Sequence, residues 1–277
     1  MQKRELFSVL MSVYKNERAS WFRTALDCIL NQTILPQEIV LVKDGPVPSD
    51  LDAIIDDYSS RYPIFHIVAN ETNLGLGLSL QKGILECSNE IIARMDTDDI
   101  IPPERFEKQL AAINKGYDVV SCWSVPFINS YDNAVAVKKR PENHDDIVKL
   151  AHRRSPICHA ACMYRKSAVI KAGNYQDRLY YEDYNLWVRM IQSGAKFYNV
   201  QEPLYFFRTD ERQLSRRGGW SYLKRELGYL REFYDLGFYS FNDLFVNSSI
   251  RIVARLCPPF MRGWIFKKIW RHSSSKV

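Results

Sequence analysis

The sequence predicts an α/β protein, a mainly parallel sheet with helices on both faces, followed by a helical C-terminal segment. Short β-branched apolar runs alternate with stretches of helical length and periodicity through the first 130 or so residues, the pattern of a sheet layered between helices. Two of these runs stop abruptly in acids, at Asp44 and at Asp96-Thr97-Asp98-Asp99. In an open α/β sheet the carboxyl ends of the strands are where ligands bind. No long linker or internal repeat divides the 277 residues, although the character of the chain changes after about residue 130.

In chain order, residues 7–14 read as the first buried strand, and residues 19–32 as a helix with Leu26, Ile29 and Leu30 on one side. The second strand, residues 38–42, ends at the turn Lys43-Asp44-Gly45-Pro46. Residues 50–58 are predicted helical and residues 64–68 a third strand. A polar, glycine-containing loop over residues 70–77 then leads into a helix reaching Cys87. The acidic strand, residues 91–95, comes fourth, and a helix opens at Pro103-Glu104. A fifth strand is expected over residues 117–125, with an edge strand over 134–139 and a helix over 145–152. A short strand over 161–164 and a helix over 167–172 follow. Tyr180-Tyr181-Glu182-Asp183-Tyr184 opens a helix carrying Leu186, Trp187, Met190 and Ile191 on apolar positions. A strand over 204–207 precedes the basic loop Ser215-Arg216-Arg217-Gly218-Gly219, and the pattern is helical from Trp220 onward. The expected division is a core domain over residues 1–220 and a C-terminal helical, membrane-associating segment over 221–277.

Composition narrows the function. Hydrophobic residues at 46% and charged residues at 25% describe a globular chain with enough apolar material for a large core. Six scattered cysteines show no repeating spacing, which argues against a disulfide framework and for a reducing compartment. Cys158-His159-x-x-Cys162 has no second ligand pair to complete a zinc site. The apolar run near the N-terminus is too short for a secretory core, and no stretch approaches the roughly 20 apolar residues of a membrane span. A cytoplasmic protein with peripheral membrane contact is the expectation. The net charge of +6 sits in the tail, where seven Lys or Arg follow from Arg251 onward with no acid. Without them the basic count falls from 38 to 31, against 32 acids. Those cations mix with Ile252, Val253, Leu256, Phe260, Trp264, Ile265, Phe266, Ile269 and Trp270, a composition suited to an anionic membrane surface. Nucleic acid is not an expected partner, because nothing else on the chain is basic or shaped for it.

The chemistry starts at the fourth strand. Three carboxylates within four residues repel one another unless a cation sits among them, and hard oxygen donors select Mg²⁺ or Mn²⁺. An acidic turn capping the following helix is the plain alternative for a lone D-x-D. Asp44 ends the second strand as Asp96 ends the fourth, so both should lie on one sheet edge, beside the loop with Tyr14 and Glu17. One face would then offer a ring to stack on a base, acids to accept from base or ribose, and a metal cluster for a diphosphate. Asn73-Leu74-Gly75-x-Gly77 allows close backbone approach at a helix start. Glu182-Asp183 is a second acidic pair. A helix N-terminus favours such acids on its own account, but Tyr180, Tyr181, Tyr184 and Trp187 around it would form aromatic walls that bind sugar and raise a carboxylate toward a working general base.

In this order the residues resemble the family 2 glycosyltransferases of the GT-A fold, a Rossmann-like mixed sheet, and especially bacterial members that build O-antigen, capsule and exopolysaccharide repeats. The resemblance runs from Ser8–Tyr14 with Asn16-Glu17 through Val42–Pro46, Asn73–Gly77, Ala93–Asp99, His159–Ser167 and Glu182-Asp183 to Ser215–Gly219, covering residues 6–220. Gln81 departs from it, standing where many relatives carry Asn. The resemblance implies that Asp98 binds Mn²⁺ or Mg²⁺ directly, with Asp96 toward ribose or donor sugar and Asp99 in support. It implies that Arg94, Tyr14, Glu17 and Asp44 belong to the donor site, Asp44 reading uracil, and that Asp183, with Glu182, supplies the base. His159, Arg216 and Arg217 are candidates for holding phosphates of donor or acceptor. The implied reaction is an inverting transfer of glucose or galactose from a UDP-sugar to an undecaprenyl-diphosphate-linked sugar, with GlcNAc as acceptor and a β-1,3 linkage. It would take place on the cytoplasmic face of the bacterial inner membrane. A metal-dependent nucleotidyl- or phosphotransferase, needing no Asp183, and a non-catalytic membrane-associated scaffold are the rivals.

Overall fold

The first four apolar runs form β1 (Phe7–Val13), β2 (Glu38–Lys43), β3 (Phe65–Ala69) and β4 (Ile91–Arg94), parallel neighbours in the order β3-β2-β1-β4. The computed structural model describes residues 6–128, 136–209 and 219–256, with the backbone of residues 274–275. Each parallel connection carries a helix: α1 (Ala19–Leu30), α2 (Ser49–Arg61) and α3 (Leu76–Glu86). The chain winds outward from β1 to β3 and returns to β1's other side with β4. The β1/β4 boundary is therefore the topological switch point, where a crevice opens beyond the strand ends.

Period-two alternation sorts the strand side chains onto two faces. Val9, Met11, Ile39 and Leu41 face one way, packing with Phe22, Leu26 and Ile29 of α1, Ile54 and Tyr58 of α2, and Phe106 and Leu110 of α4 (Arg105–Ile113). Leu10, Val40, Val42 and Ile92 face the other way, onto Leu80 and Ile84 of α3 and Leu186, Trp187 and Met190 further along the chain. Fully burying one such aliphatic side chain contributes about 1.5–3 kcal/mol, and both layers are filled with them.

Beyond β4 the sheet becomes mixed. β5 (Val119–Phe127) continues it, β6 (Val137–Lys138) pairs with β5, and α5 (His144–Ala151) follows. A single 3-10 turn, His159–Ala161, occupies the start of the strand expected at 161–164, so β7 is Met163–Arg165. β7 lies antiparallel between β4 and β5. After α6 (Lys166–Lys171) and α7 (Glu182–Gln192), β8 (Phe197–Arg208) runs parallel to β5 and is three times the length expected for 204–207. The polar stretch Gln201-Glu202-Pro203 hid that continuity. Register shifts around Trp123 absorb it, with Pro203 facing Trp123 at the irregularity, a position where a missing N–H is tolerated.

The C-terminal helices are α8 (Trp220–Asp235) and α9 (Phe241–Leu256), and β9 (Ser274–Ser275) pairs with β6. Leu230, Phe233, Phe238 and Tyr239 pack on Tyr181, Tyr184 and Val188 of α7 and its entry. The helical pair thus rests on the element that carries Glu182 and Asp183. Residues 257–273, with most of the expected basic, tryptophan-containing tail, lie outside the described residues, as do residues 134–135 of the expected edge strand.

Candidate active site

Leu10 of β1 pairs with Arg94 of β4, so Asp96–Asp99 leave the sheet beside the last residues of β1. The loop after β1 meets them there: Thr97 Oγ1 donates to Glu17 Oε2 at 2.5 Å. From below, buried Arg105 donates to the Arg94 carbonyl at 2.7 Å and to Gln109 at 3.0 Å. Gln109 in turn donates to the Ala161 carbonyl at 2.7 Å. These contacts fix the backbone from which the acids project.

Carboxylate oxygens of Asp96, Asp98 and Asp99 lie within 4.8 Å of one another. Both Asp99 oxygens are engaged, one by the Tyr205 hydroxyl at 2.7 Å and one by the Arg208 N–H at 2.8 Å. Tyr205 also accepts the Asp96 N–H at 3.2 Å. Asp99 therefore shapes the turn, while among the described residues no side chain is hydrogen-bonded to the Asp98 carboxylate. Burial, then the charges of Asp96 and Glu17, push Asp98 up to about 7. Asp99 is held well above the ordinary carboxylate range by burial and by both neighbouring aspartates. Crowded, desolvated acids of this kind are relieved by a divalent cation, and the donor set fits Mg²⁺ or Mn²⁺, with Asp98 and the outward oxygen of Asp96 best placed to bind it.

Arg94 is 1% exposed, and its Nη2 lies 2.5 Å from Asp96 Oδ1. Its Nε and Nη1 are buried without a partner among the described residues. The same positive charge lowers the pKa of Glu182, Asp183 and His159. The charge of this buried guanidinium thus acts on both acidic groups, which are 86 residues apart in sequence at Asp96 and Glu182.

Asp44 is 4% exposed. Its oxygens accept from the Leu74 N–H (2.7 Å), the Gly75 N–H (3.0 Å), Asn73 Nδ2 (2.8 Å) and Asn70 Nδ2 (3.3 Å). A carboxylate has about four acceptor sites, and here all four are used. The expected uracil contact would have to displace one of these loop donors, so in this arrangement Asp44 holds the loop over residues 70–77. Gly45 makes that contact possible: its φ is +81°, and a Cβ there would stand 2.7 Å from the Asn73 nitrogen. Tyr14 is 44% exposed at the same edge, and its ring is stacked on no other ring among the described residues.

Glu182 and Asp183 open α7. Burial, then the Asp183 charge, push Glu182 up to about 7. Burial also raises Asp183, opposed by the Ser155 hydroxyl, which donates to Asp183 Oδ2 at 3.2 Å. The helix start lies against the beginning of α3, where a Cβ on Gly77 would sit 3.2 Å from Glu182 Cβ. Gln81, the departure noted in the sequence, donates to the Tyr175 carbonyl at 2.6 Å and joins the same two segments. Tyr180 has φ +70°, strained for an aromatic residue and of a kind found at functional sites.

The expected aromatic walls are corrected. Tyr184 is buried, its hydroxyl shared between the Ala151 carbonyl and Tyr239. Trp187 lies in the core, and Tyr181 stacks on Tyr229 and donates to Glu226 at 2.7 Å. Helical periodicity turns these three inward, leaving Tyr180, 60% exposed, as the accessible ring. His159 is corrected as well. Its Nε2 is hydrogen-bonded to the Tyr175 hydroxyl at 2.8 Å, and burial together with Arg94 holds its pKa well below the usual histidine range. A neutral imidazole so engaged is poorly suited to holding phosphate. Arg216 and Arg217 lie outside the described residues.

Sequence reading missed Tyr205, Arg208, Arg105 and Ser155. Tyr205 sits in an apolar run that reads as core, and Arg105 looks like the polar side of a surface helix. Arg208 also donates through Nε to the Asp98 carbonyl at 3.1 Å and lies 4.3 Å from the Trp21 ring centre. Its place at the end of a strand was the one available signal.

Comparison with known proteins identifies the family and the fold. Residues 8–173 match the family model for glycosyl transferase family 2. The amylovoran biosynthesis glycosyltransferase AmsE of Erwinia amylovora is 35% identical over 263 residues, 95% of this chain and 98% of the relative. The UDP-Gal:alpha-D-GlcNAc-diphosphoundecaprenol beta-1,3-galactosyltransferase of Escherichia coli is 34% identical over 268 residues, 96% of each chain. Among solved structures, S. aureus TarS 1–349 in complex with UDP-GlcNAc aligns with a TM-score of 0.65 at 17% identity, covering 82% of this chain and 66% of that one. The mannosyltransferase PcManGT from Pyrobaculum calidifontis, in complex with GDP-Man and Mn²⁺, aligns at 0.63 and 13% identity over 95% of this chain and 73% of its own. At these identities the structural likeness speaks for the fold, and the fold is GT-A: a mixed sheet flanked by helices, with C-terminal helices added.

Proposed function

The chain belongs to glycosyl transferase family 2, and from that premise we propose that it is an inverting hexosyltransferase using a UDP-sugar and a lipid-linked acceptor. The observation that supports this best is the carboxylate cluster of Asp96, Asp98 and Asp99 at the ligand edge of the sheet, with Asp96 paired to buried Arg94. Asp98 and Asp96 would hold Mg²⁺ or Mn²⁺, which when bound neutralises the donor diphosphate and acts as a Lewis acid toward departing UDP. Tyr14 stacks on the base, and the loop fixed by Asp44 closes the donor side. Asp183, oriented by Ser155, takes the proton from the acceptor hydroxyl as its oxygen attacks the anomeric carbon, inverting it in one displacement. Glu182, pushed up to about 7, is partly protonated near neutrality, which limits repulsion at the pair. A nucleotidyl- or phosphotransferase would leave Glu182 and Asp183 without a task.

The named substrates of the Escherichia coli relative make UDP-galactose the first donor to try and GlcNAc-diphospho-undecaprenol the first acceptor, in polysaccharide repeat-unit assembly with a β-1,3 linkage. The protein would work peripherally at an anionic, cytoplasmic membrane surface. No helix among the described residues is long and apolar enough to cross a membrane. Helix α9 exposes Phe241, Phe245, Val253 and Leu256. Arg251 and Arg255, counted from sequence among the membrane-seeking cations, instead converge on buried Glu226 at 3.3 and 2.9 Å.

The test is a screen of UDP-glucose, UDP-galactose and their N-acetyl forms with a GlcNAc-diphosphate-lipid analogue, with and without Mn²⁺, the product linkage being read by NMR. Transfer from one UDP-hexose to GlcNAc supports the reading. Release of nucleotide or phosphate without a glycosidic product contradicts it.

A further inference from the structure

We propose that Arg140 and Arg154 form the cradle for the acceptor's diphosphate, beside Asp183. This rests on the glycosyltransferase reading and adds a site that it lacked, since His159 is neutral and turned to Tyr175.

Ser155 carries the geometry. Arg140 Nη1 donates to its carbonyl at 3.0 Å, and the Ser155 hydroxyl donates to Asp183 Oδ2 at 3.2 Å. One residue therefore spans the distance between the guanidinium and the carboxylate. Arg140 Nε is buried without a partner among the described residues. Among those residues no carboxylate is within ion-pairing distance of Arg140 or Arg154. Burial pulls Arg140 below the ordinary guanidinium range, Arg154 adds to that pull, and Asp183 opposes it. Arg154, exposed, directly precedes the Ser155 that Arg140 and Asp183 share, so both cations flank one residue that is hydrogen-bonded to the acid assigned to a proton. Lys139, 4.9 Å from the centre of the Trp123 ring, adds a third cation nearby in the chain.

A guanidinium with a spare buried N–H, a second cation at its side and no counter-ion is what an anion completes. The planar fork of arginine suits phosphate. The donor's diphosphate has its place on the far side of Arg94, at Asp96 and Asp98. The acceptor carries a second diphosphate, esterified to the anomeric carbon of the sugar whose hydroxyl meets Asp183. That anion would lie one sugar ring from the base, and Arg140 is joined to the base through Ser155. Its charge would otherwise be repelled by Glu182 and Asp183. The Arg140 backbone has a separate task, accepting from Trp123 Nε1 and Gln201 Nε2 at 3.2 Å each, which a side-chain substitution leaves in place.

The experiment compares two acceptors on the full-length protein: a GlcNAc-diphosphate-lipid analogue and a GlcNAc alkyl glycoside of the same chain length without phosphate. Replacing the charge-assisted contacts in Arg140→Ala should lower the preference for the diphosphate acceptor, as a ratio of kcat/KM values, by about 10- to 100-fold. Arg140→Lys should restore part of it, and UDP affinity by calorimetry should stay at the wild-type value. Arg154→Ala, at an exposed position, should act in the same direction and serves if Arg140→Ala does not fold. An unchanged preference in both variants overturns the proposal. Absence of transfer by the wild-type protein would overturn the glycosyltransferase reading instead. Calorimetric binding of the diphosphate analogue to wild type and variants then still decides the cradle, equal affinities counting against it.

Discussion

Arg94 Nη2 lies 2.5 Å from Asp96 Oδ1, an ion pair with its cation fully buried and its acid partly exposed. A buried charge with one partner and two unpartnered nitrogens is costly, and it persists here between two groups of acids whose own charges need it. The Arg94 charge opposes the burial that raises Glu182 and Asp183.

That placement gives the pH profile a sign. The base must be ionised, so kcat/KM should rise with pH along a limb belonging to the Glu182–Asp183 pair, near the value of about 7 to which Glu182 is pushed. Removing the neighbouring negative charge in Glu182→Gln should move the limb to lower pH. Arg94→Gln removes a charge that lowers both acids and should move it to higher pH. Rate profiles of the three proteins check this, and shifts in one common direction would contradict it.

Asp98→Ala should abolish metal-dependent binding of UDP, because Asp98 is the acid of the cluster not engaged by a neighbouring side chain. Calorimetry with and without Mg²⁺ reads it directly. Asp99→Asn should weaken the same binding less, since Asp99 acts through Tyr205 and Arg208.

Glu226 fastens three helices: it receives the Tyr181 hydroxyl from the entry to α7 and the guanidinium groups of Arg251 and Arg255 from α9. Glu226→Ala removes the shared carboxylate and should cost about 3 kcal/mol, measured by denaturant unfolding. Glu226→Gln, which still accepts a hydrogen bond, should cost less.

Membrane association is expected to rest on α9. Changing Phe241, Phe245 and Val253 together to Gln should reduce co-sedimentation with anionic vesicles several-fold while leaving circular dichroism unchanged, because these side chains are exposed. Undiminished sedimentation would remove α9 from the membrane contact.

The parts legible in the sequence were those written in strong local chemistry. The run Ile91–Arg94 reads as a buried strand, and acids at the end of such a strand fall at the ligand edge of an open sheet. Contacts that depend on tertiary register were not legible. Asp44 looked like a free acceptor because its four partners all come from one loop 26 to 31 residues away, two of them backbone N–H groups. Tyr181, Tyr184 and Trp187 looked like a sugar-binding wall because the sequence does not reveal that α8 and the core cover both sides of α7. Arg140 was invisible for a similar reason: only the folded chain brings it to Ser155 and Asp183.

The central claim is that the acids at Asp98 and at Asp183 serve one substrate pair, the first in holding the donor and the second in accepting a proton. Asp183→Asn measured for both sugar transfer and metal-dependent UDP affinity tests it most directly. Transfer should fall by about 10²- to 10⁴-fold with UDP affinity at the wild-type value. Transfer near the wild-type rate would contradict the account.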